Sequence, residues 1–568
     1  MSTVGIDFGT TNSVVGVWSE MGVEVLPIDK APLEWAPYGF DDVFPSVMAR
    51  DAEGAICFGW EAKQKSEGKF EAVKRMFADQ LDIALDDDGD ALAVEEVAVM
   101  LFAELRKQAL LLGVDANQAV VTVPANSKGR ARHRTKISAG MAGFEVLALI
   151  NEPTAAAMAY SQKHPESRQL LVFDWGGGTL DVTVLQSVDG VFIEQTSSGL
   201  GKSGGLDFDS RLQKIVRDSI PGLDQLSSQD RQLLKLEVEL AKIRLSAAEA
   251  TSIQLPNGKE IRITRAQFER EIQGLLNEAR IPIERCLREL QIGPGSIDSV
   301  VLVGGTCKIP AVRRVVEDIM KVDVDPDINV MTAVGEGAAI AAAILSGQNP
   351  NSDFFVCLEH ALGTFTFDPL SGLEEFSPII RKGHKLPAQS SSEYSPIVVT
   401  TDSVSVKVVE GDPGSDSPDF TVLKEWDVPL RTPYSEDSRR TFELQYDYDV
   451  DGILKVKATD LESGEVLLDD DVSYGVATDK RQLKVMSERA KAAVATGVID
   501  KSAHIELEDP EAMKLIQQAR LKVIPFLDVS EAEPINLAVE ALESAVGISV
   551  TEKKARLKNL LMPYSYLF

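Results

Sequence analysis

The sequence predicts an α/β architecture built on a repeated plan, followed by a β-sandwich and a helical tail. Three observations predict it. Short apolar runs ending in glycines and small hydroxyl residues recur at widely spaced positions. Helical stretches alternate with short apolar strands through residues 1–350. From residue 354 to 475 apolar and polar residues then alternate with period two.

The first recurring run is Val4-Gly5-Ile6-Asp7-Phe8-Gly9-Thr10-Thr11-Asn12, and the second is Val172-Phe173-Asp174-Trp175-Gly176-Gly177-Gly178-Thr179-Leu180-Asp181. Each reads as strand, tight turn and strand. The third, Ser299-Val300-Val301-Leu302-Val303, ends in Gly304-Gly305 and leads into helical spacing over 309–316, where Pro310 suits a first turn because its missing N–H costs nothing there. Helical spacing also covers 95–112, 230–246 and 338–345, with a strand at 119–123. The turn-formers of 346–353 mark the edge of this block. Beyond it, 404–408 and 453–458 alternate as half-buried strands do. After Gly475 the helical period returns with Leu483, Met486 and Ala490, then Met513, Ile516 and Leu521, and a basic amphipathic stretch at 553–561. The predicted divisions are 1–350, a linker at 351–359, a β-domain at 360–475 and a helical tail at 476–568.

A chain of 568 residues exceeds one hydrophobic core. Its 58 Lys+Arg against 88 Asp+Glu leave a net charge of −30, which repels nucleic-acid phosphates and anionic lipid, so neither is an expected partner. Cys57, Cys286, Cys307 and Cys357 are scattered without CxxC spacing, which points to a reducing compartment. With no basic, apolar leader and no apolar run of membrane length, the expected location is cytoplasmic.

An Asp that ends a strand before a Gly-Thr-Thr turn sets a carboxylate beside N–H groups and hydroxyls that can surround a phosphate, while the carboxylate reaches Mg2+ through water. Asp7, Gly9, Thr10 and Thr11 have this arrangement, although an ordinary Gly-Thr hairpin reads the same. The second copy shifts the balance, because three successive glycines weaken a strand end unless a ligand or backbone must approach closely. Two such loops face to face would clamp a polyphosphate. No Walker-type GxxxxGK[ST] loop stands in the right context.

These loops, together with Asn151-Glu152-Pro153-Thr154-Ala155-Ala156-Ala157-Met158-Ala159-Tyr160 and Val301-Leu302-Val303-Gly304-Gly305, resemble the 70-kilodalton heat-shock chaperone family of DnaK type. The resemblance spans nearly the whole chain and suggests a divergent bacterial member. It implies an actin-like, two-lobed ATPase domain that closes over Mg-ATP, a β-sandwich that binds peptide, and a short α-helical C-terminal lid. By the same resemblance Asp7 and Asp174 position hydrated Mg2+ and accompanying K+, and Lys74 approaches the γ-phosphate. Glu152 and Asp181 orient the attacking water, and Thr10, Thr11 and Thr179 contact phosphates. Asn12, Gly176, Gly177, Gly178 and Gly204 belong to the nucleotide cradle. Glu239, Lys242 and Ser246 hold base and ribose, and Gly304, Gly305, Thr306 and Lys308 close the other side. Read without the family, Lys74 is a solvated helix lysine and Glu152 a helix N-terminal carboxylate.

The resemblance further implies nucleotide sensing by Pro124 and Arg132, where a plain strand-ending proline is the alternative. It also implies an apolar linker, Phe354-Phe355-Val356-Cys357-Leu358-Glu359, that docks on a sheet edge in one state and is exposed in another. Val408-Val409-Glu410-Gly411-Asp412 and Asp451-Gly452-Ile453-Leu454-Lys455-Val456 anchor a peptide cleft from Thr364, Thr366, Phe367, Tyr394, Thr401, Val404 and Val406, each of which also reads as sandwich core. A J-domain co-chaperone is an implied partner. The segment 253–267 is shorter than in the family's standard bacterial member, which argues against an exchange factor.

Three positions depart from the family pattern. Leu206 replaces a polar residue near the nucleotide, Asn126 stands where an aromatic is usual, and Met331 where an acid is usual; the last two are expected to leave the phosphate loops untouched. The function implied is an ATP-hydrolysing chaperone for extended hydrophobic segments. The rival readings are an ATP-binding regulator of another chaperone and a small-molecule kinase of the same fold.

Overall fold

Strands β1 (Ser2–Phe8), β2 (Asn12–Ser19) and β3 (Gly22–Val25) form an antiparallel meander at the start of the chain. Helices α1 (Val73–Ala78) and α2 (Val94–Leu111) follow, then β4 (Ala116–Val123), α3 (Gly129–Ala142), β5 (Glu145–Asn151) and α4 (Glu152–Ser161). The sheet order is β5-β4-β1-β2-β3, with β1, β4 and β5 mutually parallel where they pair. Parallel strands covered on both faces need near-continuous apolar runs, and β4 supplies one in Ala119-Val120-Val121, all fully buried. In this computed structural model the described residues are 2–567 apart from 79–80, 87–90, 189–190, 202, 220–225, 257, 325–327, 350–352, 355–357, 359, 369–371, 398–401, 412–419, 431–439, 450–453, 473–479, 500–508, 528 and 545–548.

A second lobe repeats the plan. It contains β6 (Gln169–Trp175), β7 (Leu180–Val188), β8 (Val191–Leu200), α5 (Gly205–Ser219), α6 (Ser228–Ala247), β9 (Ser299–Val303), α7 (Pro310–Met320), α8 (Ala333–Leu345) and β10 (Asp353–Phe354). Its order is β9-β6-β7-β8-β10, again a meander whose first strand takes a parallel neighbour. Each lobe has its own core, around Phe8, Phe70 and Phe102 in the first and Phe173, Trp175 and Phe208 in the second. Helices α4 and α8 lie between the sheets and share a small-residue core. Their approach is so close that a Cβ on Gly337 would sit 1.7 Å from the Ala155 carbonyl oxygen. The duplication expected from the recurring runs is therefore a duplication of topology, and it puts Asp7 and Asp174 at equivalent strand ends.

The period-two block forms two sheets, numbered from β11 (Ala361–Phe367) through β12 (Glu374–Ile380), β13 (Ala388–Tyr394), β14 (Ser403–Gly411), β15 (Thr421–Pro429), β16 (Phe442–Tyr448) and β17 (Leu454–Asp460) to β18 (Val466–Val472). One sheet runs β12-β11-β14-β15 and the other β13-β16-β17-β18. Leu362, Val406 and Val408 of the first meet Leu444, Tyr446 and Val456 of the second in one core. The buried Tyr446 hydroxyl is satisfied by donating to the Gly363 carbonyl at 2.9 Å.

The sandwich docks on the first lobe through α3. Glu410, itself buried, accepts from the Gly129 N–H at the start of that helix (3.1 and 3.3 Å), Lys128 donates to the Thr421 hydroxyl at 2.7 Å, and Ile137 packs against the sandwich core. Of the apolar linker, Asp353 and Phe354 form β10, paired in parallel with Val191 and Phe192 at the edge of the second sheet. Phe355, Val356, Cys357 and Glu359 lie outside the described residues.

In the tail, α9 (Lys480–Thr496) packs Ala490, Ala493 and Val494 into the first lobe's core, and Arg489 makes a two-pronged bond to Glu96 at 2.5 and 2.5 Å. Helices α10 (Pro510–Gln517), α11 (Val529–Glu543) and α12 (Ser549–Leu561) share a separate core of Leu515, Val523, Val539 and Leu557. Between α10 and α11 the chain makes a π-helical turn (Gln518–Val523) and a 3-10 turn (Ile524–Phe526). Among the described residues no helix is long and apolar enough to cross a membrane.

Candidate functional site

The two glycine-hydroxyl loops meet between the lobes. A Cβ on Gly177 would sit 2.0 Å from the Thr11 hydroxyl oxygen, and one on Gly178 would sit 3.2 Å from the Thr10 methyl, so only glycine lets the loops face each other this closely. Gly304 approaches from the second lobe's third run with φ 85, and a Cβ there would fall 2.4 Å from the Trp175 carbonyl oxygen. The Thr306 hydroxyl ties that run to the glycine triplet by donating to the Gly176 carbonyl at 2.8 Å.

At the cleft floor stand Asp7, Glu152, Asp174 and Asp181 with one cation, Lys74, which is ion-paired with Glu152. Lys74 is only 8% exposed, so it is not a solvated helix lysine. Ala72, just before α1, takes φ 55, a left-handed conformation uncommon for a residue with a side chain. Burial, and next the charge of Glu152, push the Asp7 carboxyl up to about 6 and Asp181 up to about 7; the same two causes hold Asp174 well above the usual carboxylate range. Thr122 donates to Asp7 at 2.8 Å, and Thr179 and Asn126 donate to Asp181.

Four carboxylates against one lysine leave a deficit of positive charge that a cation would fill, and Asn12 adds a buried side-chain oxygen with no hydrogen-bond partner among the described residues. Among the described residues no three His, Cys, Asp or Glu side chains are grouped tightly enough to hold a metal directly. The donor set therefore suits a hydrated ion held through water.

Beside the loops lies a cavity of about 500 Å³ with Glu239, Lys242, Ser246, Gly305, Thr306 and Lys308 among its lining. The expected base-and-ribose residues are thus brought together, with two refinements. The Ser246 hydroxyl bonds back to the Lys242 carbonyl (3.4 Å), and Lys242 is paired with Asp209 at 2.8 Å. Missed from the sequence was the loop of Pro37, Tyr38, Gly39 and Phe40, which forms the opposite wall. Lys308 reaches across the cleft to donate to the Tyr38 carbonyl at 2.6 Å, and burial pulls its pKa down. The signal available was the aromatic, Pro- and Gly-containing run Trp35-Ala36-Pro37-Tyr38-Gly39-Phe40.

Met331 lines the nucleotide-sized cavity with its sulfur 3.3 Å from the position a Cβ on Gly305 would take, beside the third run and not the two glycine-hydroxyl loops. One expectation needs correcting: Asn126 touches the strand that leaves the second loop, through its bond to Asp181. An amide in place of a larger ring fits here because it reaches a buried carboxylate. Leu206 does line the cavity, as expected.

The residues expected to sense nucleotide lie along a connected chain of hydrogen bonds. Arg132 bonds the Ser127 carbonyl (3.2 Å) in the turn after Pro124 and the side chain of Asn151, next to Glu152; Asn151 in turn donates to Glu194 at 2.8 Å. The same turn carries Lys128 and Gly129, which hold the sandwich.

The expected peptide residues do not form one surface. Val406 is core, Val404 and Tyr394 pack against that core, and Thr364 is buried. Phe367 lies on the opposite face of β11 from Thr364 and Thr366, because strand side chains alternate, and it is 43% exposed. Thr401, Asp412, Asp451, Gly452 and Ile453 lie outside the described residues. Cys57, Cys286 and Cys307 are free thiols.

Comparison with known proteins gives one direction. A family model described as Hsp70 protein matches residues 58–562. Chaperone protein DnaK of Thermotoga neapolitana is 33% identical over 493 residues, covering 81% of this chain and 79% of that protein. Chaperone protein DnaK of Thermosipho africanus is 33% identical over 484 residues, covering 81% and 78%, and that of Thermotoga petrophila is 32% identical over 493 residues, covering 81% and 79%.

Proposed function

Because the chain belongs to the Hsp70 family of ATP-dependent chaperones, we propose that it binds extended hydrophobic segments of unfolded proteins with an affinity switched by ATP binding and hydrolysis. The observation that carries this reading is the convergence of two phosphate-sized loops and four carboxylates on Lys74, joined through Asn151, Arg132 and the turn after Pro124 to the sandwich interface.

In this reading ATP lies with its adenosine between Glu239, Lys242 and Lys308 and its phosphates between the Thr10-Thr11 and Gly176-Gly177-Gly178-Thr179 loops. Asp7 and Asp174 would hold hydrated Mg2+, with K+ accompanying it, and the ions would supply positive charge against the phosphate oxygens. Lys74 brings its ammonium to the γ-phosphate, while Glu152 and Asp181 hold the attacking water by accepting its hydrogens. Phosphoryl transfer needs positioning and charge compensation more than covalent help, and these groups supply both. The loss of the γ-phosphate weakens the pull on Lys74 and Glu152, which loosens the Asn151–Arg132 link and frees the sandwich and linker from the lobes. A J-domain protein is the class of partner expected to trigger hydrolysis, and the cytoplasm is the compartment that suits the free thiols.

The test is the dissociation rate of a fluorescent extended hydrophobic peptide from the full chain with ATP and with ADP. Release should be faster with ATP; equal rates would remove the coupling. Single-turnover hydrolysis in the Thr179→Ala variant separates chaperone ATPase from regulator: a regulator would show no difference from the unaltered protein.

A further inference from the structure

A second cavity, of about 390 Å³, lies at the mouth of the cleft, between both lobes and the tail. It begins at Thr10 and Thr11, and its roof is the π-helical and 3-10 turn region, with Lys514, Gln517, Leu521, Lys522 and Phe526. The roof is fastened on both sides. Gln517 donates to the Ile83 carbonyl of the first lobe at 2.5 Å, Leu521 packs on that lobe's core, and from the second lobe Arg217 donates to the Pro563 carbonyl at 3.4 Å. A cavity of this volume falls in the range of small-molecule sites.

Its charge runs against the rest of the molecule. Seven basic side chains and four carboxylates line it, in a chain of net charge −30. Two of those carboxylates are engaged from outside the lining, Asp86 by Arg50 (3.4 Å) and Asp209 by Lys242 (2.8 Å). Glu239 pairs with Lys63 at 2.8 Å. Glu71 has Lys235, Lys69, Lys522 and Lys63 around it, which hold its carboxyl well below the usual range despite burial.

Arg75 is the decisive residue. It is 5% exposed, and none of its three guanidinium nitrogens has a hydrogen-bond partner among the described residues. The Phe526 ring lies 5.9 Å from its central carbon, and its charge acts on Asp207. Asp207 itself is occupied, accepting from the Gly204 N–H at 2.6 Å. A buried guanidinium without acceptors is costly, and such a group in a charged cavity marks the place of an anion. The planar fork of arginine suits oxyanions above all.

We propose that this tail-roofed cavity is a second anion site that binds a phosphate dianion on Arg75, with Lys235 and Lys522 as further cationic walls. The proposal rests on the ATPase reading only in its choice of the first source, the phosphate released at the adjoining loops; the second source is a phosphate monoester from solution. Either ligand would tie the tail to both lobes, so its departure and the opening of the cleft would be linked.

The test is calorimetry on the full chain saturated with Mg-ADP, titrated with inorganic phosphate and, separately, with phenyl phosphate. Arg75→Gln and Lys522→Glu should each weaken binding by about tenfold or more, as loss of a charge-assisted bond predicts. Thr179→Ala should leave it within about threefold, and thermal melts identify any variant that has not folded. Lys522 is on the tail surface of the cavity, so its variant keeps the test open if Arg75→Gln does not fold. Tighter binding of inorganic phosphate identifies the released product, and tighter binding of phenyl phosphate identifies a monoester. Unchanged binding in both charge variants overturns the site, as does a loss confined to Thr179→Ala, which would locate the phosphate at the nucleotide loops. ADP uptake is read first, by titrating Mg-ADP into the nucleotide-free chain: its absence counts against the ATPase reading, whereas ADP uptake without phosphate uptake counts against this cavity alone.

Discussion

The Asn126 side-chain amide donates to Oδ1 of Asp181, and the Asn126 backbone oxygen lies 3.4 Å from Nε2 of His360, at the entry to the sandwich. One residue thus touches both the carboxylate proposed to hold the attacking water and the domain whose state hydrolysis is proposed to switch. Asn126→Ala removes the donor and keeps the backbone. Single-turnover hydrolysis should fall roughly 10-fold to 100-fold, the size typical when a group orienting a reactive side chain is lost. Nucleotide affinity should hardly change. A fall in affinity with an unchanged rate would place Asn126 in binding instead.

Lys74 is the one cation among four buried carboxylates, and it lowers the pKa of Asp7, Asp174 and Asp181 alike. Lys74→Ala should cut hydrolysis by roughly 10²–10³-fold, as removal of a single group facing developing charge does. Raising the magnesium concentration should restore part of the loss in nucleotide affinity, since the missing charge is then met from solution. An ATPase rate unaffected by the substitution would take Lys74 out of the proposed machinery.

Glu410 caps α3 from another domain: it is 4% exposed and accepts from the Gly129 N–H at 3.1 Å. The positive end of a helix and a buried carboxylate stabilise each other, and truncation leaves the N–H unsatisfied, a change of about 1–2 kcal/mol. Glu410→Ala should therefore shift the full chain with ATP toward an undocked form, read as a larger radius of gyration in small-angle scattering. Glu410→Gln retains an acceptor and should lie between the two.

That the residues of the candidate site come together was legible in the sequence where its determinants are local. A strand, an Asp and a glycine turn are contiguous, and so is the Glu239-to-Ser246 helix face. The Tyr38 wall was not legible, since nothing in Pro37-Tyr38-Gly39-Phe40 says that a lysine from the other lobe, Lys308, will reach its carbonyl. The sandwich was legible as a fold from its alternation. Its cleft was not, because Val404, Val406 and Tyr394 have the same apolar character whether they face peptide or core. In the tail, helical spacing showed that α9 and α10 have apolar faces, while what covers those faces depends on tertiary packing that periodicity does not encode.

Asp207 gives a pH dependence with a definite sign. Burial raises its carboxyl from the ordinary 3.8 to about 7, against the opposing pull of Arg75 and the Gly204 N–H. A group whose folded pKa is raised favours the folded state fully below the unfolded value and loses that contribution as pH climbs through the folded value. Wild-type stability should thus decline between about pH 4 and pH 7 relative to Asp207→Asn, which carries no titrating proton and keeps an oxygen for Gly204. The variant should gain on the order of 4 kcal/mol over the wild type across that window in denaturant melts, about three units at roughly 1.4 kcal/mol each. A difference that stays constant with pH would show that Asp207 titrates normally.

The Arg489–Glu96 pair decides whether the tail stays on the first lobe. Glu96 is fully buried, and burial raises its pKa while the bonds from Arg489 oppose that rise. Removing only the arginine leaves a carboxylate with no compensation in an apolar surround, a loss of roughly 3–5 kcal/mol for buried pairs, less here because the Arg489 side chain is 28% exposed. Arg489→Ala should release α9, seen as faster amide exchange over 480–496 and over the facing α2. Replacing both partners, with Arg489→Met and Glu96→Gln, removes the stranded charge and should recover most of the protection, because Met can rejoin the packing of Ala490 and Val494. If the single variant exchanges no faster than the wild type, α9 is held by its apolar face alone. If the double variant is as open as the single one, the pair contributes geometry that neither packing nor neutrality can replace.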